Sequence, residues 1–292
     1  MSGPWAVPVA RDVVVATGPD TVGYLQGQLS QEVAGMAVGS SAWSLLLTPQ
    51  GHLLALLRVT RAGDDVVVLD TDAGGGADVL ARLQRFLLRT RCELAQVAWS
   101  CVAVRGPGSV APDHLPEGVH VVVPETPGVP GYDLLGPGAA APDGVAAGDP
   151  AAYEAMRIEQ GVPRRGSELG ERTIPAEVGI VDRSVSFTKG CYTGQELVAR
   201  VDSRGGNVPR RLRGVLVDGG DVPPTDAEVL VDGDGGEREV GRITSAAASD
   251  RFGAPVALVY AKRGTEVPAP CTIRWPAGQA AGRLVELPFP SR

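Results

Sequence analysis

The apolar positions along this chain change period several times, and the changes mark its elements. Asp12 to Ala16 is a β-branched run closed by the turn Gly18-Pro19-Asp20, after which Thr21 to Leu29 suits a short helix. Trp43 to Thr48 and Leu53 to Thr60 are strand-like runs flanking Pro49-Gln50-Gly51, the pattern of a β-hairpin. Asp65 to Asp70 predicts another strand, followed by Gly74-Gly75-Gly76. Val79, Leu80, Leu83, Phe86 and Leu87 then keep the 3.6-residue period of an amphipathic helix, with Arg82, Arg85 and Arg89 on its other side. Leu94 to Val104 returns to a strand pattern. Gly106 to Pro116 and Gly136 to Pro150 are rich in Gly, Pro and Ala and read as loops.

A second helix opens at Asp149-Pro150, with Asp as N-cap and Pro in the first helical position, and closes at Gly161. From Arg211 the pattern shifts to short alternating strands: Gly214 to Val217, Glu228 to Val231, Glu237 to Ser245, Pro255 to Tyr260, Cys271 to Trp275 and Arg283 to Leu287. Strands at this spacing without helices predict a small antiparallel barrel or sandwich. A boundary is expected near Gly205-Gly206-Asn207. It divides an α+β region, 1–205, built of two intertwined subdomains, from a C-terminal β-barrel, 206–292.

The chain has 292 residues, 43% hydrophobic and 21% charged, which is the composition of a soluble globular protein. At this length about 70% of the chain's surface is buried on folding, so no disulfide or structural metal is needed for stability. A net charge of −7 argues against a nucleic-acid scaffold and a polybasic membrane binder. No run approaches the roughly 18 apolar residues of a membrane span, and Met-Ser-Gly-Pro-Trp does not open like a signal peptide. These features make the cytoplasm the expected location. Cys92, Cys101, Cys191 and Cys271 form no C-x-x-C pair, and His52, His114 and His120 fall at no metal-ligand spacing, so no metal site is expected. The glycines at 74–76 lack the lysine of a phosphate loop. Asp232 to Gly236 lacks the closing Glu of a calcium loop and reads as a hairpin turn.

Among 27 basic residues only Lys189 and Lys262 are lysines. A lysine surviving in an arginine-rich composition suggests a task for a compact ammonium. Lys189 lies in Phe-Thr-Lys-Gly-Cys-Tyr-Thr-Gly-Gln-Glu-Leu-Val-Ala-Arg-Val, residues 187–201. Thr193 and Glu196 have the spacing of a capping box, which starts a helix just after Tyr192 and puts Cys191 at its mouth. The helix dipole and Lys189 then favour the Cys191 thiolate. Gly190 and Gly194 allow tight turns or close approach. Two readings stay open: a reactive, ligand-facing thiol, or a buried structural cysteine beside a capped helix. Arg200 follows Glu196 at the spacing of a helix ion pair.

The run from Lys189 to Glu196 closely resembles the signature of the YgfZ-type folate-binding proteins. Tyr24-Leu25-Gln26-Gly27-Gln28, Arg157 to Pro163, Ile174-Pro175-Ala176-Glu177 and Gly241 to Ser245 resemble further segments of that family. Its wider relatives are the folate-dependent T-proteins of the glycine cleavage system. The resemblance implies an aminomethyltransferase-like fold, two α+β domains in a ring-like arrangement followed by a β-barrel, with tetrahydrofolate or a one-carbon-loaded folate in a central funnel. It implies an accessory role in iron–sulfur cluster assembly or repair, with iron–sulfur client enzymes or assembly proteins as partners and a monomeric chain. The catalytic pair it implies is Cys191 and Lys189. Glu159 is placed to accept the pterin's donor pair and Tyr153 to supply a ring face, with Glu177, Tyr192, Gln195 and Arg200 completing the folate-binding set. The T-proteins use an aspartate where this chain reads Gly51-His52-Leu53-Leu54-Ala55-Leu56. That departure counts against glycine-cleavage aminomethyl transfer and leaves folate-dependent methyl or one-carbon transfer to a small amine as the alternative.

Overall fold

Strand-forming segments in the first 150 residues build two five-stranded sheets. The computed structural model describes residues 3–124, 126, 128–233 and 236–290. In chain order the elements are β1 (Trp5–Pro8), β2 (Arg11–Thr17), α1 (Thr21–Gln28), β3 (Ser41–Leu47), β4 (Leu53–Arg61), β5 (Val66–Asp72), α2 (Gly76–Gln84), β6 (Glu93–Val97), β7 (Ser100–Arg105), β8 (His120–Val122), β9 (Gly131–Gly136) and β10 (Ala146–Ala147). The first sheet has the order β3-β4-β5-β2-β6 and the second β10-β1-β7-β9-β8. The strand pattern expected over Leu94 to Val104 is therefore two strands in different sheets. The break falls at Ala98-Trp99, where the Trp99 ring stacks on His120 with centroids 6.1 Å apart.

The sheets meet over buried charge. Arg58 donates to Asp70 and Asp133, Arg11 donates to Asp70 and Asp72, and Arg105 pairs with Asp133. Arg58, Arg105 and Asp133 have no exposed surface. Alternating charges of this kind are tolerated in a dry interior because each ion has an opposite neighbour and hydrogen bonds. Cys101 lies beside Arg58, and burial pushes its thiol up to about 12.

Helices α3 (Pro150–Glu159), α4 (Val181–Ser184) and α5 (Gln195–Ser203) follow, with a 3-10 turn at Pro175–Glu177. Asp149 caps α3 by accepting the Ala151 N–H at 2.9 Å, as its position before Pro150 predicts. The last strands are β11 (Arg210–Val217), β12 (Glu228–Gly233), β13 (Gly236–Ser249), β14 (Ala254–Lys262), β15 (Ala269–Trp275) and β16 (Gly278–Val285). They close into a barrel of order β11-β14-β13-β12-β15-β16. The hairpin turn expected at Asp232 to Gly236 has its central residues, 234 and 235, outside the described residues, while Gly233 pairs with Gly236 across it. Met1 and Ser2 of the opening segment also lie outside the described residues.

One apolar core unites these parts. Leu45, Leu47 and Leu56 of the first sheet, Ile158 of α3, Val198 of α5 and Leu212, Val256 and Leu258 of the barrel pack together. Two local expectations change. The amphipathic helix ends at Gln84, leaving Phe86 and Leu88 exposed, while Arg82 is buried. The glycines at 74–76 are closed by the chain's own carboxylate, since Asp12 Oδ2 accepts N–H bonds from Gly74 and Gly76 at 2.9 and 2.8 Å.

Candidate functional site

The segment with the rare lysine is tied to two others. Lys189 Nζ donates to the carbonyls of Gln26, Leu29 and Gln31 at 2.7, 2.7 and 2.8 Å. All three ammonium hydrogens are taken, an arrangement that fits a tetrahedral ammonium and not a planar guanidinium. Lys189 thus holds the loop after α1, and none of its hydrogens remains for Cys191. Burial pulls its ionisation down to about 8, with Glu32 opposing. The Tyr192 ring lies 5.3 Å from Nζ and packs against the central core, and burial raises its hydroxyl to about 12.

Helix α5 starts one residue later than the capping-box spacing predicts. Gly194, in a left-handed conformation at φ 83°, is its N-cap, and a Cβ there would lie 2.6 Å from Thr48 O. Gly51, also at φ 83°, faces it: a Cβ there would lie 2.9 Å from Gly194 O. Interlocking glycines bring the motif's backbone onto the β3–β4 turn and displace Thr193 from the cap position. Gln195 supplies the local bond instead, its Oε1 accepting the Tyr192 N–H at 3.1 Å, while the Thr193 N–H goes to Gly27 O. Cys191, before this turn, is exposed.

The β3–β4 turn also borders a cavity of about 760 Å³, lined by Thr48, Leu53 to Leu56, Thr71 and Asp72 on the sheet, Asp78, Ala81 and Arg82 on α2 with Arg85 at its C-cap, and Arg165, Gly166 and Leu169 to Glu171. A second cavity of about 400 Å³, lined by Val7 to Ala10, Tyr153, Glu154 and Arg164, shares Asp72 and Arg165 with the first. Each falls within the size range of small-molecule and cofactor sites. Cys191 lines neither. Its expected place facing the funnel becomes a place on the outer surface of the segment that braces the funnel's edge.

The β4 segment of the wall carries no carboxylate, but its neighbour does. Leu57 pairs with Thr71, so Asp72 lies opposite Leu56 on β5. Asp72 is held by Arg11 Nη1 and by the Arg165 N–H, both at 2.7 Å. Sequence reasoning missed Asp72, Arg82 and Arg165. The only signal was that Asp78, Arg82 and Arg85 share one face of α2, which reads equally well as a solvated face.

The expected folate-binding residues scatter. Tyr153 is buried against Trp5 and lines the smaller cavity. Glu159 does not meet it: its carboxylate accepts Ser249 Oγ at 2.6 Å and Arg251 Nη1 at 3.4 Å, clasping α3 to the barrel. Glu177 is buried in the 3-10 turn, bonded to the Ile174 N–H and to Arg210. Arg200 is exposed on α5, and among the described residues no ion pair joins it to Glu196. Glu168, not anticipated, is buried between Ser245 Oγ, Arg157 and the Arg164 N–H. Among the described residues no group of three or more His, Cys, Asp or Glu side chains is arranged to hold a metal, and no helix is long and apolar enough to cross a membrane.

Residues 210–289 match the family model of the glycine cleavage T-protein C-terminal barrel domain. The glycine cleavage system aminomethyltransferase T of Bartonella henselae superposes with a TM-score of 0.84 over 99% of this chain and 87% of that one, at 19% identity, a likeness of fold. The tRNA-modifying protein YgfZ of Pectobacterium carotovorum is 27% identical over 212 residues, 65% of this chain and 63% of that protein. The mitochondrial iron-sulfur cluster assembly factor IBA57 homolog of Mycosarcoma maydis is 28% identical over 214 residues, 67% of this chain and 53% of that protein. The chain is thus similar to YgfZ, IBA57 and aminomethyltransferase proteins, and its C-terminal segment matches the T-protein barrel domain. Its fold is accordingly the α+β aminomethyltransferase fold with a C-terminal antiparallel barrel, as the sequence resemblance implies. The two cavities are lined by the first sheet and β1, by α2, by the start of α3 and by the 164–171 loop, and the lysine-bearing segment grips the turn that borders the larger one.

Proposed function

We propose that this chain is a cytoplasmic tetrahydrofolate-binding accessory protein for iron–sulfur cluster assembly or repair. The observation that carries the folate reading is the pair of adjoining cavities, roomy enough for a flat ring with a tail and mixed in character: apolar at Leu53 to Leu56, charged at Asp72, Arg82 and Arg165. The residues fit such a ligand. Leu53 to Leu56 and Tyr153 offer surfaces for the ring, Asp72 offers a fixed carboxylate to a donor pair, and arginines face an anionic tail. When bound, a reduced folate supplies one-carbon carrying capacity. The chain's own residues bind it, orient it and screen it from water. The cluster-related role rests on the kinship with the IBA57 homologue and YgfZ. In this reading Cys191, exposed on the Lys189-braced segment, meets client proteins or their sulfur cargo from outside while folate occupies the interior.

Two experiments test this. Anaerobic titration with 5-formyltetrahydrofolate is expected to give saturable one-to-one binding, weakened about tenfold or more by Leu54→Trp, which fills the cavity from its wall. Folded wild-type protein without saturable binding overturns the folate reading. In a deletion strain, Cys191→Ser is expected to leave cluster-dependent enzymes impaired, and full restoration by this variant removes the thiol from the account.

Asp72 favours a second reading, one-carbon transfer to a small amine, because a carboxylate faces the cavity from the strand beside the one that lacks it. Turnover of a methylated amine with tetrahydrofolate, abolished by Asp72→Asn, is its expected signature. The accessory reading expects no such turnover.

A further inference from the structure

Several charged groups on the cavity walls are matched within the chain. Arg165 donates to Asp78 at 2.5 Å, Arg164 to Glu154 at 2.7 Å and Arg11 to Asp72 at 2.7 Å. Arg82 differs from these in being buried without a carboxylate partner among the described residues. It is 9% exposed, its Nη1 donates only to the neutral Gln28 Oε1 at 3.2 Å, and its Nε and Nη2 are buried with no hydrogen-bond partner among the described residues. The Phe86 ring lies 4.0 Å from its guanidinium carbon and holds it flat. A buried guanidinium with unmet N–H groups lacks a countercharge. Arg85, one turn further along the same wall, has no ion pair among the described residues. Burial also lowers the ionisation of Arg82, with Arg85 contributing in the same direction.

We propose that the α2 wall of the large cavity is a carboxylate-binding site in which Arg82 and Arg85 receive the anionic end of the bound molecule, the glutamate tail when that molecule is a reduced folate. The inference rests on the folate reading and adds an orientation: ring toward Asp72 and Tyr153, tail toward α2. A carboxylate at the Arg82 wall supplies the countercharge this buried guanidinium lacks, a planar match that a guanidinium offers and an ammonium does not. The same preference extends to folates with several γ-linked glutamates, because Arg85 on the same wall is exposed and adds a second cation.

The test is a titration series with three ligands: 5-formyltetrahydrofolate, its triglutamate, and 6-methyltetrahydropterin, which has no tail. Wild-type protein is expected to bind them in the order triglutamate, monoglutamate, tailless pterin. Arg82→Met is expected to raise Kd for both folates by about tenfold or more and to leave the tailless pterin unchanged. Arg85→Met, an exposed substitution that keeps the fold, is expected to affect the triglutamate most. Equal losses for all three ligands in Arg82→Met identify a structural arginine and overturn the inference. Unchanged folate affinity in both variants also overturns it while leaving the folate reading intact. Failure of wild-type protein to bind any of the three overturns both.

Discussion

Two sets of buried arginines in this molecule sit in opposite electrostatic settings. At the seam between the sheets, Arg58, Arg11 and Arg105 alternate with Asp70, Asp72 and Asp133, and the charges neutralise one another. On the α2 wall, Arg82 has no carboxylate and two unmet donors. In the first arrangement every arginine has a carboxylate within the chain, and the set serves the fold. The second is complete only with a partner from outside, which is why it marks a binding wall and the seam does not.

This contrast is open to direct attack. Arg58→Met removes the cation shared by Asp70 and Asp133 and leaves each with a single arginine in a dry interior, and the expected loss is about 3–5 kcal/mol in denaturant unfolding. A loss below 1 kcal/mol would show that the seam is not a coupled network. Gly194→Ala forces a side chain into a left-handed position against Thr48 O, for an expected cost of about 1–3 kcal/mol. Gly190→Ala, with open space around it, is expected to stay within about 0.5 kcal/mol of wild type. Equal costs at the two glycines would refute the interlocked turn. Arg82→Met removes an unpaired buried charge, so its unfolding free energy is expected to match or slightly exceed that of wild type. Destabilisation like that of Arg58→Met would erase the distinction between seam and wall.

The smallest expected effect concerns Lys189. In the folded chain it releases its proton near pH 8, whereas the usual value is 10.5. Between those values the unfolded chain binds more protons, so this group makes stability rise with pH there, and its contribution is lost as pH falls through 8. Wild-type protein is therefore expected to gain stability more steeply than Lys189→Met between pH 8 and 10.5. Parallel slopes would show that the lysine is not desolvated.

Much of this was legible in the sequence, and the failures have physical causes. The barrel strands and the β3–β4 hairpin follow from alternating apolar runs and turn residues. Strands β8, β9 and β10 hide in Pro- and Gly-rich sequence because they are short and held by tertiary pairing. The rarity of Lys189 pointed correctly to a compact ammonium, but its partners are carbonyls about 160 residues away in sequence, which no local pattern discloses. Glu159 lies in a recognisable motif, yet the barrel takes its carboxylate through Ser249. Arg82 sits on the polar face of an amphipathic helix, and a polar face toward a cavity has the same periodicity as one toward water.

The central claim is that the adjoining cavities hold a reduced folate, and a crystal structure of the protein soaked with 5-formyltetrahydrofolate tests it most directly. The account predicts ligand density bounded by Leu53 to Leu56, Asp72 and Arg165, with its carboxylate end at Arg82. Density elsewhere on the molecule, or vacant cavities at saturating ligand, would contradict it.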